Sequence, residues 1–502
     1  MGYQTTSNDY MKTFTPNLDA YAATGVKLNW YYSDHLCSPS RASIMTGKNL
    51  LHNGAQHDVF NEKRPAGLSL AHKLLPQYMN EAGYVSHAIG KWHLGFFNGQ
   101  YLPTNRGFES YFGYYGGNIQ YYAHYGIIWG TEKFYDMHNG ESIYGDTSTF
   151  TLELFDQRAS EVISAHDDEQ PMFLYYATQG IHGSFDEPPP KMLTSTQLQV
   201  AKDTVYNTTE SIQREYLVLT SAAMDTAFAN LIDHLKEKGM YENSVIIVAS
   251  DNGGCSHNTG SNYPLRGEKN TLFEGGLRVN AFVHSPLLPR AVRGTTYDDL
   301  FHISDWFPTL LEGALGFETG DIPGVSSSGG NLDGYNQWGP LTTAGAVGTG
   351  PRHEVLHTVK TEENYVVVGL RRGDYKLVMG YAVNVAGWYS PDNVPPENYC
   401  EILHPNMFDA IPRIFNIRED PSEENDLYDE AHEDLLHELW QRVDFHWDEA
   451  HESAFVEGDT SCYKAWADNE YYLRPWQVSQ EADWGRRGPN QGMDWRGQPV
   501  LG

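Results

Sequence analysis

The feature that most constrains this chain is an ordered alternation of helix-period and strand-like segments. Residues 15–25 have helical spacing, with Thr15 placed to cap and Pro16 at the first helical position. Residues 26–33 then read as a strand. The pattern repeats: helix 69–83 ending on Gly83, strand 84–90; helix 147–166, strand 172–178; helix 211–239 ending on Gly239, strand 244–250. Such alternation predicts an α/β fold with a mainly parallel sheet. At 502 residues the chain has room for one large domain or two smaller ones. A Gly-, Ser- and Thr-rich stretch at 324–350 reads as a connection, giving domains at 1–345 and 346–502. In the second, residues 354–359, 365–370, 375–380 and 413–417 read as short antiparallel strands. A helix is expected at 425–444, which makes a small α+β domain. The last 40 or so residues are polar and Trp-studded, and are expected to wrap the surface.

Ligands of open α/β sheets bind beyond the carboxyl ends of the strands. Here those ends are rich in chemistry. After 26–33 come Asp34, His35, Cys37, Ser38, Pro39, Ser40 and Arg41. After 84–90 come Lys91, Trp92 and His93. His182 follows 172–178, and Asp251, Asn252, Gly253 and Gly254 follow 244–250. A single loop His or Lys is usually a solvated side chain, and Asp-Asn-Gly-Gly alone is a good turn. Four strand ends converging on one sheet edge are harder to explain that way. Cations beside oxygen ligands suit an anionic ester held on a hard metal ion.

Charge and motifs narrow the classes. Lys plus Arg number 34 and Asp plus Glu 65, a net charge of −31. That excludes the basic footprint of a nucleic-acid binder. The excess is uneven. Residues 419–460 hold sixteen acids and one base, whereas residues 37–93 hold six bases and three acids. No apolar run approaches the roughly 20 residues that span a bilayer, and no signal peptide is visible. Met1-Gly2 with Thr6 fits a loose myristoylation pattern that is short enough to arise by chance. The sequence has no GxSxG, GxGxxG or GxxxxGK[ST], and its His and Cys spacings match no structural zinc site. A thiol hydrolase using Cys37, a His and Asn252 is conceivable but unspecified by its context. Four cysteines are too few for a disulfide scaffold. Cys255 reads as a small loop thiol, and Cys400 and Cys462 are candidates to pair.

Cys37-Ser38-Pro39-Ser40-Arg41 resembles the type I sulfatase signature Cys-x-Pro-Ser-Arg, and residues 42–48 continue it. Gly90-Lys91-Trp92-His93-Leu94-Gly95, Asp251-Asn252-Gly253-Gly254 and Arg266-Gly267-Glu268-Lys269 through Glu274-Gly275-Gly276 resemble further signatures. So do Asp305 through Leu310 and Asp420 through Leu427. Six motifs occur in order over nearly the whole chain. Leu102 through Phe108 and Asn262 through Gly267 look most like the arylsulfatase B, or N-acetylgalactosamine 4-sulfatase, type.

The resemblance implies an alkaline-phosphatase-like fold and hydrolysis of a sulfate ester, on a sulfated sugar or aryl alcohol. Cys37 would be oxidised by the formylglycine-generating enzyme. One hydroxyl of the aldehyde hydrate would attack sulfur, and loss of the other's proton would then expel sulfate. By resemblance Arg41 steadies the hydrate, His93 is the base, His182 and Lys269 serve sulfate and the leaving oxygen, and Lys91 holds sulfate charge. Ca2+ would be bound by Asp251, Asn252 and modified Cys37. A lysosomal or secreted, glycosylated protein is expected; Asn207-Thr208-Thr209 is the only sequon. A related phosphodiesterase or phosphatase is disfavoured by the Cys-x-Pro-Ser-Arg motif.

Two departures qualify this. The family's first strand ends in an Asp-Asp metal pair whose matching position would precede Met1. The sequence is therefore expected to lack two calcium ligands and a central strand, leaving backbone and apolar surface unpaired. Truncation of a normal sulfatase is the favoured reading. The alternative is an impaired, glycan-binding short form. Second, His182-Gly183-Ser184 departs from the usual sequence after that His, which bears on loop shape more than on the His.

Overall fold

A computed structural model describes residues 1–4, 10–128, 132–317, 332–346, 348–362, 365–380, 386–390, 400, 409–451 and 453–477. In chain order the strands are β1 (Val26–Tyr32), β2 (Val85–Lys91), β3 (Ser110–Tyr114), β4 (Tyr125–Ile128), β5 (Glu132–Tyr135), β6 (His138–Asn139), β7 (Ser142–Ile143), β8 (Met172–Ala177), β9 (Ile246–Ala249), β10 (Ala281–His284), β11 (Thr295–His302), β12 (Glu354–Glu362), β13 (Tyr365–Arg372), β14 (Tyr375–Met379) and β15 (Arg413–Asn416). They form sheets ordered β11-β1-β10-β9, β7-β6-β3-β2-β8 and β12-β13-β14-β15, with β4-β5 a separate hairpin.

The first two sheets carry the α/β architecture. β1 runs parallel to β11, and β2 runs parallel to both β3 and β8. β10 is antiparallel to both β1 and β9, so the pairing is more mixed than the alternation alone suggests. The helices end near their expected positions, with informative differences. Residues 69–74 form turns, and that helix is only Leu75–Glu81, started by Pro76. Thr15 does not cap Pro16–Thr24 with its side chain. Its Oγ1 accepts the buried Gly2 N–H at 2.8 Å and donates to Asp19 at 3.2 Å.

β8 and β9 end their respective sheets, each with one bonded neighbour among the described residues. All six residues of β8 are half-buried. In β9 Ile246–Val248 are half-buried and Ala249 is exposed. Helices bridge the interval on both faces. Met224 of the helix Ile212–Glu237 packs against the apolar cluster that also takes Leu174 and Tyr176 of β8, and against the one that takes Ile246 and Val248 of β9. On the opposite face Ile44 packs against the cluster that takes Phe173 and Tyr175 and against the one that takes Ile247. Two sheet edges therefore face a shared, helix-lined interval.

The third sheet is an antiparallel meander in sequence order. Leu439 and Val443 of the helix Glu433–Asp448 pack on it. That helix starts later than the apolar period suggested. Asp420 accepts the Glu424 and Asn425 amides, holding this stretch in a turn. The meander docks on the first sheet through buried charge. Lys376 of β14 lies 2.9 Å from both Glu274 and Glu423, and all three side chains are fully buried. Glu274 also accepts the Tyr32 hydroxyl at 2.8 Å. Residues 318–331 and 347 of the expected connection, and the tail from 478 on, lie outside the described residues. No described helix is long and apolar enough to cross a membrane.

Candidate active site

Chain geometry explains why Cys37 stands where it does. β1 delivers the chain to Leu36, still extended, and Cys37 opens the helix Cys37–Thr46. Pro39 is tolerated because the first turn has no intrahelical partner for its missing N–H. Gly47, at φ 66°, ends the helix in the left-handed conformation that glycine adopts at little cost. The serines of the motif are braces. Ser38 Oγ donates to the His93 carbonyl at 2.8 Å and accepts the Phe60 N–H at 3.0 Å. Ser40 Oγ accepts the Asp34 N–H at 2.9 Å, and Ser43 donates to the Asp34 carboxylate at 2.7 Å. Cys37 is thereby fixed, buried, at the positive end of a helix.

Arg41, one turn on, lies on the same helix face. Its guanidinium donates to Asp251 Oδ2 at 2.8 and 3.2 Å, to the Lys91 carbonyl at 3.0 Å and to the Tyr175 hydroxyl at 3.3 Å. One side chain thus joins the ends of β2 and β9 to β8 across the interval between the sheets. Burial opposes the charge, but Tyr175, Asp251 and Cys37 keep Arg41 protonated. Tyr175 was not singled out in the sequence. It belongs to a run of strand aromatics with nothing to distinguish it.

The groups expected to surround Cys37 do so. His93 and His182 stand beside its thiol, close enough to favour the thiolate. Burial would raise that thiol, but Lys269, Lys91 and the two histidines hold it well below the ordinary range. Burial, followed by Lys91, brings His93 down to about 4. Burial, followed by Lys269, lowers His182 as well. Burial also lowers Lys91 at the end of β2. Both imidazoles are therefore neutral near pH 7 and able to accept a proton. His182 Nδ1 lies 2.6 Å from the Gly183 carbonyl, which fixes Nδ1–H as donor and leaves Nε2 as the proton acceptor of the neutral ring. His93 adopts φ 56°, uncommon outside glycine, held by its N–H to Tyr115 and its carbonyl to Ser38. Lys269 is half-buried, and its backbone N–H donates to Gly254 at 3.0 Å.

Asp251 and Asn252 follow β9. Asn252 Nδ2 donates to the Gly253 carbonyl, while its Oδ1 is buried with no hydrogen-bond partner. An orphaned carbonyl oxygen beside a carboxylate fits a hard cation. Arg41 already engages Asp251 Oδ2, so these two residues supply only part of a six- to eight-oxygen shell. Gly253 permits a close approach: a Cβ there would lie 1.9 Å from the Gly275 carbonyl. The Glu274-Gly275-Gly276 motif is thus structural, seating the Asp-Asn loop and giving Glu274 to Lys376. Asp305 is structural too, engaged by Arg352 in the protein interior.

The cysteines depart from expectation. Cys255 and Cys400 form a disulfide, while Cys462 is free and buried. Spacing could not reveal this, because 145 residues separate the partners. Asn207 of the sequon is exposed, on the short helix Asn207–Thr209.

Comparison with known proteins agrees with this arrangement. The sulfatase family model matches residues 3–317. This chain belongs to the sulfatase family. It is 35% identical over 437 residues to arylsulfatase J of Mus musculus, covering 82% of this chain and 68% of that protein. It is 28% identical over 320 residues to N-acetylgalactosamine-6-sulfatase of Homo sapiens, covering 59% of this chain and 56% of that protein. Among solved structures the sulfatase chain is similar to Ps i-CgsB in complex with k-i-k-neocarrahexaose, with TM-score 0.70, 21% identity and coverage of 91% and 92%. The PsFucS1 sulfatase from Pseudoalteromonas sp. gives TM-score 0.62, 21% identity and coverage of 87% and 85%. At those identities the likeness speaks for the fold, an α/β sulfatase fold with a smaller C-terminal sheet.

Proposed function

We propose that this chain hydrolyses sulfate esters, on a sulfated sugar or an aryl alcohol, with residue 37 as nucleophile. The observation that carries this reading is the enclosure of Cys37 by Lys91, Lys269, His93 and His182 at a helix N-terminus. Two lysines and the helix end suit a tetrahedral anion, and two neutral imidazoles suit proton transfer at the nucleophile and the leaving oxygen. Oxidation of Cys37 to formylglycine would supply a hydrated aldehyde, whose second hydroxyl allows a bound sulfate to be expelled.

The roles of the chain's own groups follow from position. Arg41 holds the first helical turn against the strand ends and carries positive charge beside the nucleophile. His93 accepts the proton at residue 37. His182, its Nδ1 committed to Gly183, accepts or returns a proton through Nε2 on the substrate side. Lys91 balances charge from beneath, and Lys269 does so from the more open side. Asp251 and Asn252 would hold Ca2+, which would neutralise sulfate charge. A glycosaminoglycan-type substrate is consistent with the names of the relatives. This reading includes passage through the secretory pathway, where the formylglycine-generating enzyme would act on Cys37.

The test is expression in a secretory host, mass spectrometry of the peptide containing residue 37, and turnover of a chromogenic aryl sulfate with added Ca2+. Aldehyde and turnover together support the reading. Aldehyde without turnover on aryl or sugar sulfates sinks it. A second reading, a sulfatase-like protein that binds sulfated glycans without turnover, is favoured by one observation: Asp251 is tied to Arg41 and the described cation donors are few. Micromolar binding of a sulfated oligosaccharide with no turnover would select it.

A further inference from the structure

The Cys255–Cys400 cross-link has a third member. Both sulfurs and a carboxylate oxygen of Glu268 lie within 4.8 Å of one another. Glu268 Oε2 is 3.5 Å from Cys400 Sγ and accepts the Ser256 N–H at 2.6 Å. Its Oε1 is buried without a hydrogen-bond partner, and the side chain is fully buried. Burial pushes this carboxyl up to about 7, so it carries a proton under mild conditions. The two residues are unequally placed: Cys255 is half-buried and Cys400 is buried. A thiol from solution therefore meets Cys255 first, and the sulfur that must leave is the one beside Glu268.

The loop held by this cross-link carries Lys269. Gly254, next to Cys255, accepts the Lys269 N–H at 3.0 Å. Asn262 laces the loop, accepting the Gly254 N–H at 2.8 Å and donating to the Gly254 carbonyl at 2.9 Å. On the other side the loop is fastened toward the C-terminal sheet. Gly267 N–H donates to Gly387 at 2.8 Å, and Arg266 donates to Ala386 at 2.6 Å. The disulfide is the covalent member of this set.

We propose that Cys255, Cys400 and Glu268 form a thiol–disulfide exchange site, distinct from the sulfate-ester site, that takes a small thiol as co-substrate and latches the Lys269 loop. A thiolate attacks Cys255 Sγ and forms a mixed disulfide as the S–S bond breaks. The electron pair leaves on Cys400 Sγ, which takes the proton of the Glu268 carboxyl. A second thiol attacks the external sulfur of the mixed disulfide and releases Cys255. The net change is reduction of one disulfide to two thiols and oxidation of two small thiols to their disulfide.

The experiment uses the full chain and needs no sulfatase assay. Free thiols are first blocked with N-ethylmaleimide, and a non-reducing peptide map establishes the Cys255–Cys400 link. The native protein then meets limiting glutathione, followed by iodoacetamide. The expected adduct is glutathione on Cys255 with carbamidomethyl on Cys400. Glu268→Gln, with unchanged circular dichroism, is expected to release the Cys400 thiol about tenfold more slowly. Hydrogen exchange at the Lys269 amide is expected to rise about tenfold on reduction. A missing link, glutathione on Cys400, an unchanged rate in E268Q, or unchanged exchange at Lys269 each overturns the proposal.

Discussion

The C-terminal meander and the pair of sheets that carry Cys37 are built on opposite plans. In the meander, strands neighbouring in sequence are neighbours in space, and its charged groups close on one another. Glu354 alone meets Arg442, Arg372 and His446. The catalytic sheets instead join segments far apart: β1 pairs with β10 and β11, more than 240 residues away. Around Cys37 polar atoms are left open, among them Asp34 Oδ1, His93 Nδ1, Tyr114 OH and Asn252 Oδ1. Two edges, β8 and β9, are half-bare within a helix-lined interval. Local pairing lets the charged groups of the meander meet one another, although His357 and Thr358 of β12 also bury unpartnered polar atoms, whereas long-range convergence gathers such groups around the nucleophile.

The largest expected effect tests the open side. Cys37→Ala removes the proposed nucleophile, and aryl-sulfate turnover by the mature protein is expected to fall at least about a thousandfold. Thermal unfolding should move little, because the serines that brace the helix remain. Retained turnover would place the reaction elsewhere.

The next tests the seam between the two plans. Lys376→Met takes the cation from buried Glu423 and leaves Glu274 the longer pair to Arg278 at 4.0 Å, and urea unfolding is expected to lose about 3–5 kcal/mol. Adding Glu274→Gln and Glu423→Gln should recover part of that loss, since the penalty belongs to the stranded charges. An additive triple variant would mean that the cluster is not the seam.

How much of this was legible follows from the same contrast. The strands of the meander and the four strand-end clusters could be read because apolar period and polar residues lie together in sequence. The parallel order was only partly legible, because nothing in the short segments 281–284 and 246–249 states that β10 runs against its neighbours. At the site, Cys37, Arg41, Lys91, His93, His182 and Lys269 carried distinctive motifs and converge. Tyr175 and the Cys255–Cys400 link did not, since their roles exist only after distant segments meet. Several family landmarks also serve the frame rather than the reaction. Glu274 and Glu423 bind Lys376, and Asp305 binds Arg352.

Hydrogen exchange tests the edges directly. Amides of Met172–Ala177 and Ile246–Ala249 that point into the interval lack the ladder bonds that protect Val367 to Leu370 of β13, where both neighbours are paired. In the 502-residue chain they are expected to exchange about a hundredfold faster. Equal protection would mean that something occupies the interval in solution, and the contrast would then lie between two closed regions.

The smallest expected effect belongs to the closed side and depends on pH. Hydrogen bonds from His446 and Arg442 outweigh burial and hold the Glu354 carboxyl at about 2, below the 4.5 of a free glutamate. A carboxyl lowered on folding stabilises the protein fully above its unfolded value, and that stability is lost as pH falls through the folded one. The window therefore runs from about pH 4.5 down to about pH 2. The side chain is 14% exposed, so screening is modest, and the contribution is on the order of 2 kcal/mol. Urea unfolding of the wild type should weaken across this window. In Glu354→Gln the loss should already be present at pH 6, and the pH slope should flatten by about that amount. The slope that remains comes from other carboxylates. If the variant keeps the wild-type slope, the closure between β12 and the helix Glu433–Asp448 rests on apolar packing through Leu439 and Val443 rather than on charge.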